Sequence, residues 1–250
     1  ACRSLGGSLW GFSFHGHCRG HLFGWRWLVG NRGAKSGSHL FFNGSGDDFT
    51  VFQTLFTGFS RRGKFLLMEL SDGRVLVVNP MLTGALQLCS PSERLARKTS
   101  FLLSLSGGME LRYLDETQMG AAYYIDSSQV EQVPRLGEQG PDVLDQYPSL
   151  PAFKERLRRF QGEIKGILTR GQLVAGIGNA YADEALFEAS IFPFKRRKAL
   201  SEDEIARLHE AIPRVLHSAI AVLRERMGDD LHLKVRDFLK VHGKGGSACP

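Results

Sequence analysis

The run Glu163-Ile-Lys-Gly-Ile-Leu-Thr-Arg-Gly-Gln-Leu-Val-Ala-Gly-Ile-Gly-Asn-Ala-Tyr-Ala-Asp-Glu184 decides how this chain is read. It has the texture of a helix, a tight glycine-rich turn and a second helix. Gly176 and Gly178 carry no Cβ, so the backbone can come close to another molecule there. Asn179 is expected to cap the second helix, whose first amides point outward with partial positive charge. Such a terminus is an anion site, and a DNA phosphate is an obvious anion. Lys165, one helix earlier, is placed to fold back onto the same phosphate. The residues also suit an ordinary helical hairpin whose glycines only pack, so physics alone leaves both readings open.

Working outward, helices continue on both sides. Pro151 suits a helix start, with Phe153, Leu157 and Phe160 at helical spacing. Ser201-Glu-Asp-Glu204 is a capping box. It opens a long helix with Ile205, Leu208, Ile212, Val215, Leu216, Ala219 and Leu223 on one stripe, which Pro213 is expected to bend. Residues 127–150, with Pro134, Gly137, Gly140, Pro141 and Pro148, are expected to form a polar linker. Before it, residues 58–126 read as antiparallel strands over 64–70, 74–78, 81–88, 101–105, 109–114 and 121–125. Asp72-Gly73 and Gly107-Gly108 supply the turns. The expected fold class is therefore α+β: an antiparallel β-sandwich, incomplete if residues 1–57 do not join it, followed by an all-α domain over 151–243.

Residues 1–57 differ from the rest. Through Ser60 there is no Pro, Glu, Ile or Met, and Asp47 and Asp48 are the only acids. Runs such as Ser8-Leu9-Trp10-Gly11-Phe12 keep inserting Gly, at a helix cost of about 1 kcal/mol each relative to Ala. The segment is either irregular and β-rich or a corrupted, frame-shifted stretch. The second reading is preferred.

The 250 residues suffice for two modest domains, and 42% hydrophobic content fits a globular chain. No run of about 18 apolar residues marks a membrane span, and no secretory pattern opens the chain. The expected location is the cytoplasm, on the nucleoid. The net charge of +6 suits a polyanionic partner. Residues 151–250 carry 18 Lys/Arg against 13 Asp/Glu, while 61–150 carry 9 against 11. The four cysteines, Cys2, Cys18, Cys89 and Cys249, include no CxxC pair.

The quoted run resembles the helix–two-turn–helix motif of the formamidopyrimidine-DNA glycosylase/endonuclease VIII family. The likeness extends through Phe187–Pro193 and Leu200–Glu204 and resumes over Leu233–Gly243. It implies an all-α helix–two-turn–helix domain in which Lys165 and Asn179, with Gly176 and Gly178, clamp the phosphate beside a damaged nucleotide of double-stranded DNA. Arg61-Arg62-Gly63-Lys64-Phe65-Leu66-Leu67 resembles the family's hairpin lysine motif. Lys64 would then be catalytic, an ammonium near the sugar assisting proton transfer during strand cleavage. Asn79-Pro-Met-Leu-Thr-Gly84 falls where many relatives carry His-Leu-x-Met-Ser/Thr-Gly, which implies a phosphate contact at Asn79 and a wedge at Leu82. Asp115-Glu-Thr-Gln-Met-Gly120 falls where many carry Asp-Pro-Arg-Arg-Phe-Gly. Gln118 and Met119 would fill the gap left by the extruded base.

The resemblance implies base-excision repair: removal of oxidised bases of the formamidopyrimidine/8-oxoguanine type, with strand cleavage at the abasic site, by a monomer. Two departures qualify it. Relatives begin Pro-Glu-Leu-Pro-Glu after Met removal, with the proline amine as nucleophile, whereas this chain begins Ala1-Cys2-Arg3. Residues 244–250 resemble the entry to the family's zinc finger, with Cys249 as the first of four cysteines. One thiolate cannot make a structural zinc site, so zinc is expected in intact relatives and none here. On this basis weak or absent glycosylase activity is expected. The alternatives are a DNA-binding remnant without chemistry and a helical scaffold unrelated to nucleic acid.

Overall fold

The structure, a computed structural model, describes the backbone of residues 26–27, 39–43, 49–228, 232–248 and 250, with side chains from residue 54 onward. The chain divides into two units. One runs to Arg61 and resumes over Phe65–Val133; the other comprises Arg62–Lys64, Pro134–Gly228 and the segment from Lys234.

The first unit is all antiparallel. Its strands are β1 (Arg26–Trp27), β2 (His39–Asn43), β3 (Phe49–Gln53), β4 (Phe56–Arg62), β5 (Phe65–Leu70), β6 (Arg74–Asn79), β7 (Ala85–Cys89), β8 (Thr99–Leu105), β9 (Met109–Leu114) and β10 (Ala121–Asp126). They form sheets of order β1-β2-β3, β10-β6-β5-β4 and β7-β9-β8. Strand β6 lies between β5 and β10, and Val75 to Val78 are all buried. A central strand covered on both faces carries such a continuous apolar run, and Val fits its pleated surface. Met68, Val78 and Tyr124 of the four-stranded sheet share one core with Phe101, Leu103 and Tyr113 of β8 and β9. These two sheets therefore pack as a sandwich.

Two expectations change here. The strand expected over 81–88 begins only at Ala85. Residues 80–84 form a turn instead, closed by Gly84 N donating to Pro80 O at 2.8 Å, because Pro80 gives no amide and Met81 is left-handed at φ 48°. The break in texture at 57/58 falls inside β4. Residues 1–25, 28–38 and 44–48 lie outside the described residues, and with them most of the segment suspected of corruption, including Ala1, Cys2 and Cys18.

The second unit is helical: α1 (Leu150–Arg158), α2 (Ile164–Thr169), α3 (Asn179–Glu188) and α4 (Glu202–Met227). Phe153, Leu157, Ile167, Leu186, Leu208 and Ile212 are buried in its core. The capping box forms at α4: Ser201 Oγ accepts from Glu204 N at 3.2 Å, and Ser201 N donates to Glu204 Oε2 at 2.8 Å. Helix α4 is continuous through Pro213. Pro213 has no amide for the carbonyl four residues earlier, and Tyr147 Oη donates to that carbonyl, His209 O, at 2.8 Å. The stretch 127–150, expected as a polar linker, contains the boundary between the two units at Val133 and Pro134 and also has structure of its own. Ser127–Gln132 is a 3-10 helix capped by Asp126, and Val133, Leu136 and Val143 are buried. Among the described residues no helix is long and apolar enough to cross a membrane.

Candidate nucleic-acid interface

The turn between α2 and α3 is shaped by Gly176, whose φ of +104° lies in the region that side chains avoid. Its neighbour Ala175 is held on both sides: Ala175 N donates to Pro141 O at 2.9 Å and Val143 N to Ala175 O at 3.1 Å. The cap of α3 is Gly178, not Asn179 as the sequence suggested. Asn179 is the first helical residue, and no side chain caps the helix. The reason is local: Gly178 already has the extended backbone that a cap position needs, φ −108° and ψ −178°. Among the described residues no carboxylate or hydroxyl takes the first amides of α3, which leaves them open. Asn179 is exposed.

Lys165 lies on α2, half-buried, and pairs with Asp183 of α3 through Nζ and Oδ1 at 2.7 Å. The other oxygen of Asp183 is 2.9 Å from His242 Nδ1. Beside it, buried Glu184 accepts the amides of Lys240, Val241 and His242, each at 2.9 Å. The segment that resumes the family likeness is thus fastened onto α3. The sequence placed Lys165 but gave no role to Asp183, its partner.

Lys64 sits in the turn between β4 and β5, and this turn belongs to the helical unit. Gly63 adopts φ +60°, and its amide donates to Asp142 Oδ2 at 2.7 Å. A Cβ at Gly63 would lie 2.8 Å from Gln139 Oε1, 3.1 Å from Ala175 Cβ and 3.4 Å from Gly176 N. The turn that presents Lys64 therefore rests directly on the glycine loop. Asp142 is buried, and its second oxygen accepts Leu144 N at 2.9 Å. Lys64 is exposed as a residue. Partial withdrawal of its ammonium from water, and then the charge of Arg135, hold its pKa below the ordinary lysine value of 10.5. Nothing in the sequence pointed to Asp142, which is 79 residues away from Gly63.

The remaining expected contacts lie on two loops of the β unit. Asn79 Oδ1 accepts Met81 N at 3.3 Å. Leu82 is 56% exposed and Met119 49% exposed; Gln118 is exposed and left-handed at φ 52°. Buried Asp115 joins the loops through Thr83. Cys249 lies outside the described residues. Among the described residues no group of three or more His, Cys, Asp or Glu could hold a metal ion.

Comparison with known proteins agrees with this geometry. Residues 42–122 match the formamidopyrimidine-DNA glycosylase N-terminal domain, and residues 139–229 match the formamidopyrimidine-DNA glycosylase H2TH domain. The first match begins upstream of the change in texture at residue 58. A formamidopyrimidine-DNA glycosylase of Moorella thermoacetica is 38% identical over 201 residues, covering 78% of this chain and 73% of that protein. One from Desulforamulus reducens is 36% identical over 195 residues, covering 76% and 70%. Among solved structures, the Lactococcus lactis glycosylase in complex with abasic-site DNA aligns with a TM-score of 0.70 at 29% identity, covering 79% of this chain and 73% of that one. The Thermus thermophilus protein aligns with a TM-score of 0.67 at 30% identity, covering 79% and 74%.

Proposed function

This chain belongs to the formamidopyrimidine-DNA glycosylase family of repair enzymes, and from that premise we propose how its own residues act on DNA. The substrate is double-stranded DNA bearing an oxidised base of the formamidopyrimidine/8-oxoguanine type. The base is removed and the strand is cut at the abasic site. One observation carries the reading: the Lys64 turn rests on the Gly176 loop, in the same unit as Lys165 and Asn179.

A phosphate at the start of α3 meets backbone amides that no side chain among the described residues takes, the exposed Asn179 amide and the Lys165 ammonium. Asp183 holds that ammonium in place beforehand, which reduces the rotamer freedom lost on binding. Lys64, fixed one residue beyond Gly63, then faces the sugar next to that phosphate. A depressed pKa makes its ammonium a better proton donor near neutral pH than an ordinary lysine. Asn79 adds a phosphate contact from the β unit, while Leu82, Gln118 and Met119 occupy the space vacated by the flipped base. The enzyme acts as a monomer on nucleoid DNA.

Equilibrium titration of a duplex carrying an abasic-site analogue tests the binding half. Asn179→Ala and Lys165→Ala should each weaken affinity roughly tenfold. Lys165→Ala should also lower the slope of log affinity against log salt by about 1. Wild-type affinity and slope in both variants would overturn the assignment.

A further inference from the structure

We propose that Asp115 and Thr83 are positioning residues that lock the Leu82 loop and the Gln118–Met119 loop into one rigid wedge. The proposal rests on the reading that these loops enter DNA. It goes beyond that reading by naming what makes them act together.

Both loops hold unfavourable backbone outside glycine, with Met81 at φ 48° and Gln118 at φ 52°. Both expose apolar side chains: Met81 at 40%, Leu82 at 56% and Met119 at 49%. Such features persist only where the surroundings over-determine them. Here the surroundings are a small network centred on buried Asp115. Thr83 Oγ1 donates to Asp115 Oδ1. The same hydroxyl accepts Thr117 N at 3.0 Å and lies 2.6 Å from Thr117 Oγ1. Asp115 is 1% exposed, and its second oxygen accepts Gly120 N at 2.6 Å. A hydroxyl has one proton to give and two lone pairs to fill, and Thr83 uses both capacities across the two loops. A carboxylate only accepts: Asp115 Oδ1 takes Thr83 of one loop and Thr117 Oγ1 of the other, at 3.3 Å for the latter, while Oδ2 takes Gly120 N. Beneath them lies Tyr113, whose buried hydroxyl abuts Gly84 and Gly120 at the ends of the loops.

The loops therefore cannot move independently. Unstacking a base step is costly, and a wedge already ordered loses less freedom on insertion than two floppy loops would. Met81 joins Leu82 and Met119 as a third apolar element of this surface.

The test is a double-mutant cycle of Leu82→Ala and Met119→Ala, read as affinity for a duplex bearing a tetrahydrofuran abasic-site analogue. It is run in the wild-type chain, in Thr83→Val and in Thr83→Ser. Thr83→Val keeps the branched shape and removes the hydroxyl. Coupling of roughly fivefold or more is expected in the wild type, falling to about one in Thr83→Val and returning in Thr83→Ser. Asp115→Asn, with one acceptor oxygen in place of two, should abolish it as well. Thr83→Val alone should keep the wild-type melting temperature within about 2 °C and the wild-type affinity for undamaged duplex, which a merely structural loss would not allow. Coupling that survives in both Thr83→Val and Asp115→Asn overturns the proposal and leaves the insertion reading standing. Unchanged affinity in Leu82→Ala and Met119→Ala themselves overturns the insertion reading, and this proposal with it.

Discussion

Asp142 offers both carboxylate oxygens to backbone amides, Gly63 N on one side and Leu144 N on the other. Asn at this position has a single acceptor for two donors. Asp142→Asn should therefore destabilise the helical unit by about 1–3 kcal/mol, measured by denaturant unfolding. It should also release the turn that carries Lys64. Lys64 itself makes a pH prediction. Its folded pKa lies below 10.5, so the fold disfavours the ammonium. That penalty is fully present below the depressed pKa and is relieved as pH rises through it towards 10.5. Lys64→Met should raise the melting temperature at neutral pH, and the gain should vanish as pH approaches 10.5. Tyr113 tests the opposite case. Its hydroxyl is buried with no hydrogen bond among the described residues, and burial, then Asp115, pushes its pKa up. Removing it leaves no stranded partner, so Tyr113→Phe should change stability by less than about 0.5 kcal/mol or raise it. Lys64, Lys165 and Asn179 could be nominated from the sequence because each lies within an unbroken motif. Asp142 and the Thr83–Asp115 link were not, because the partners stand 79 and 32 residues apart with no periodicity between them.

Elements follow the same division. The α4 start was readable because a capping box is local: four residues contain both donors and both acceptors. Glu204 also pairs with Lys195 at 2.7 Å. Lys195, then the Ser201 amide, hold its pKa below 4.5. Its contribution is present above 4.5 and is lost as pH falls through the depressed value. The first turn of α4 should fray in acid, seen as faster amide exchange over 201–206, and Glu204→Gln should remove that pH dependence. What happens at Pro213 was not readable, since the donor to the orphaned His209 carbonyl comes from Tyr147, outside the helix. The packing within 127–150 was hidden for a related reason. The Pro and Gly residues there suggest a solvated linker, yet Leu136 is 1% and Val143 2% exposed. Isolated apolar residues between turns carry no period, so only tertiary packing reveals them.

At the scale of the molecule, the order of a β unit followed by a helical unit was written in the change from period 2 to period 3.6. The membership of residues 62–64 in the helical unit was not, because a hairpin tip belongs in sequence to its strands. That placement sets a lysine of a β-hairpin beside the Gly176 loop, where the phosphate site is proposed. The surplus of 18 Lys/Arg over 13 Asp/Glu in residues 151–250 adds the attraction that draws DNA in. The most direct test is strand cleavage at a preformed abasic site under single-turnover conditions, comparing the wild type with Lys64→Ala. Cleavage by the wild type is expected, with a loss of roughly a hundredfold in Lys64→Ala and affinity for the same duplex within about threefold of the wild type. An inactive wild type, or equal cleavage by Lys64→Ala, would contradict the proposed role of Lys64.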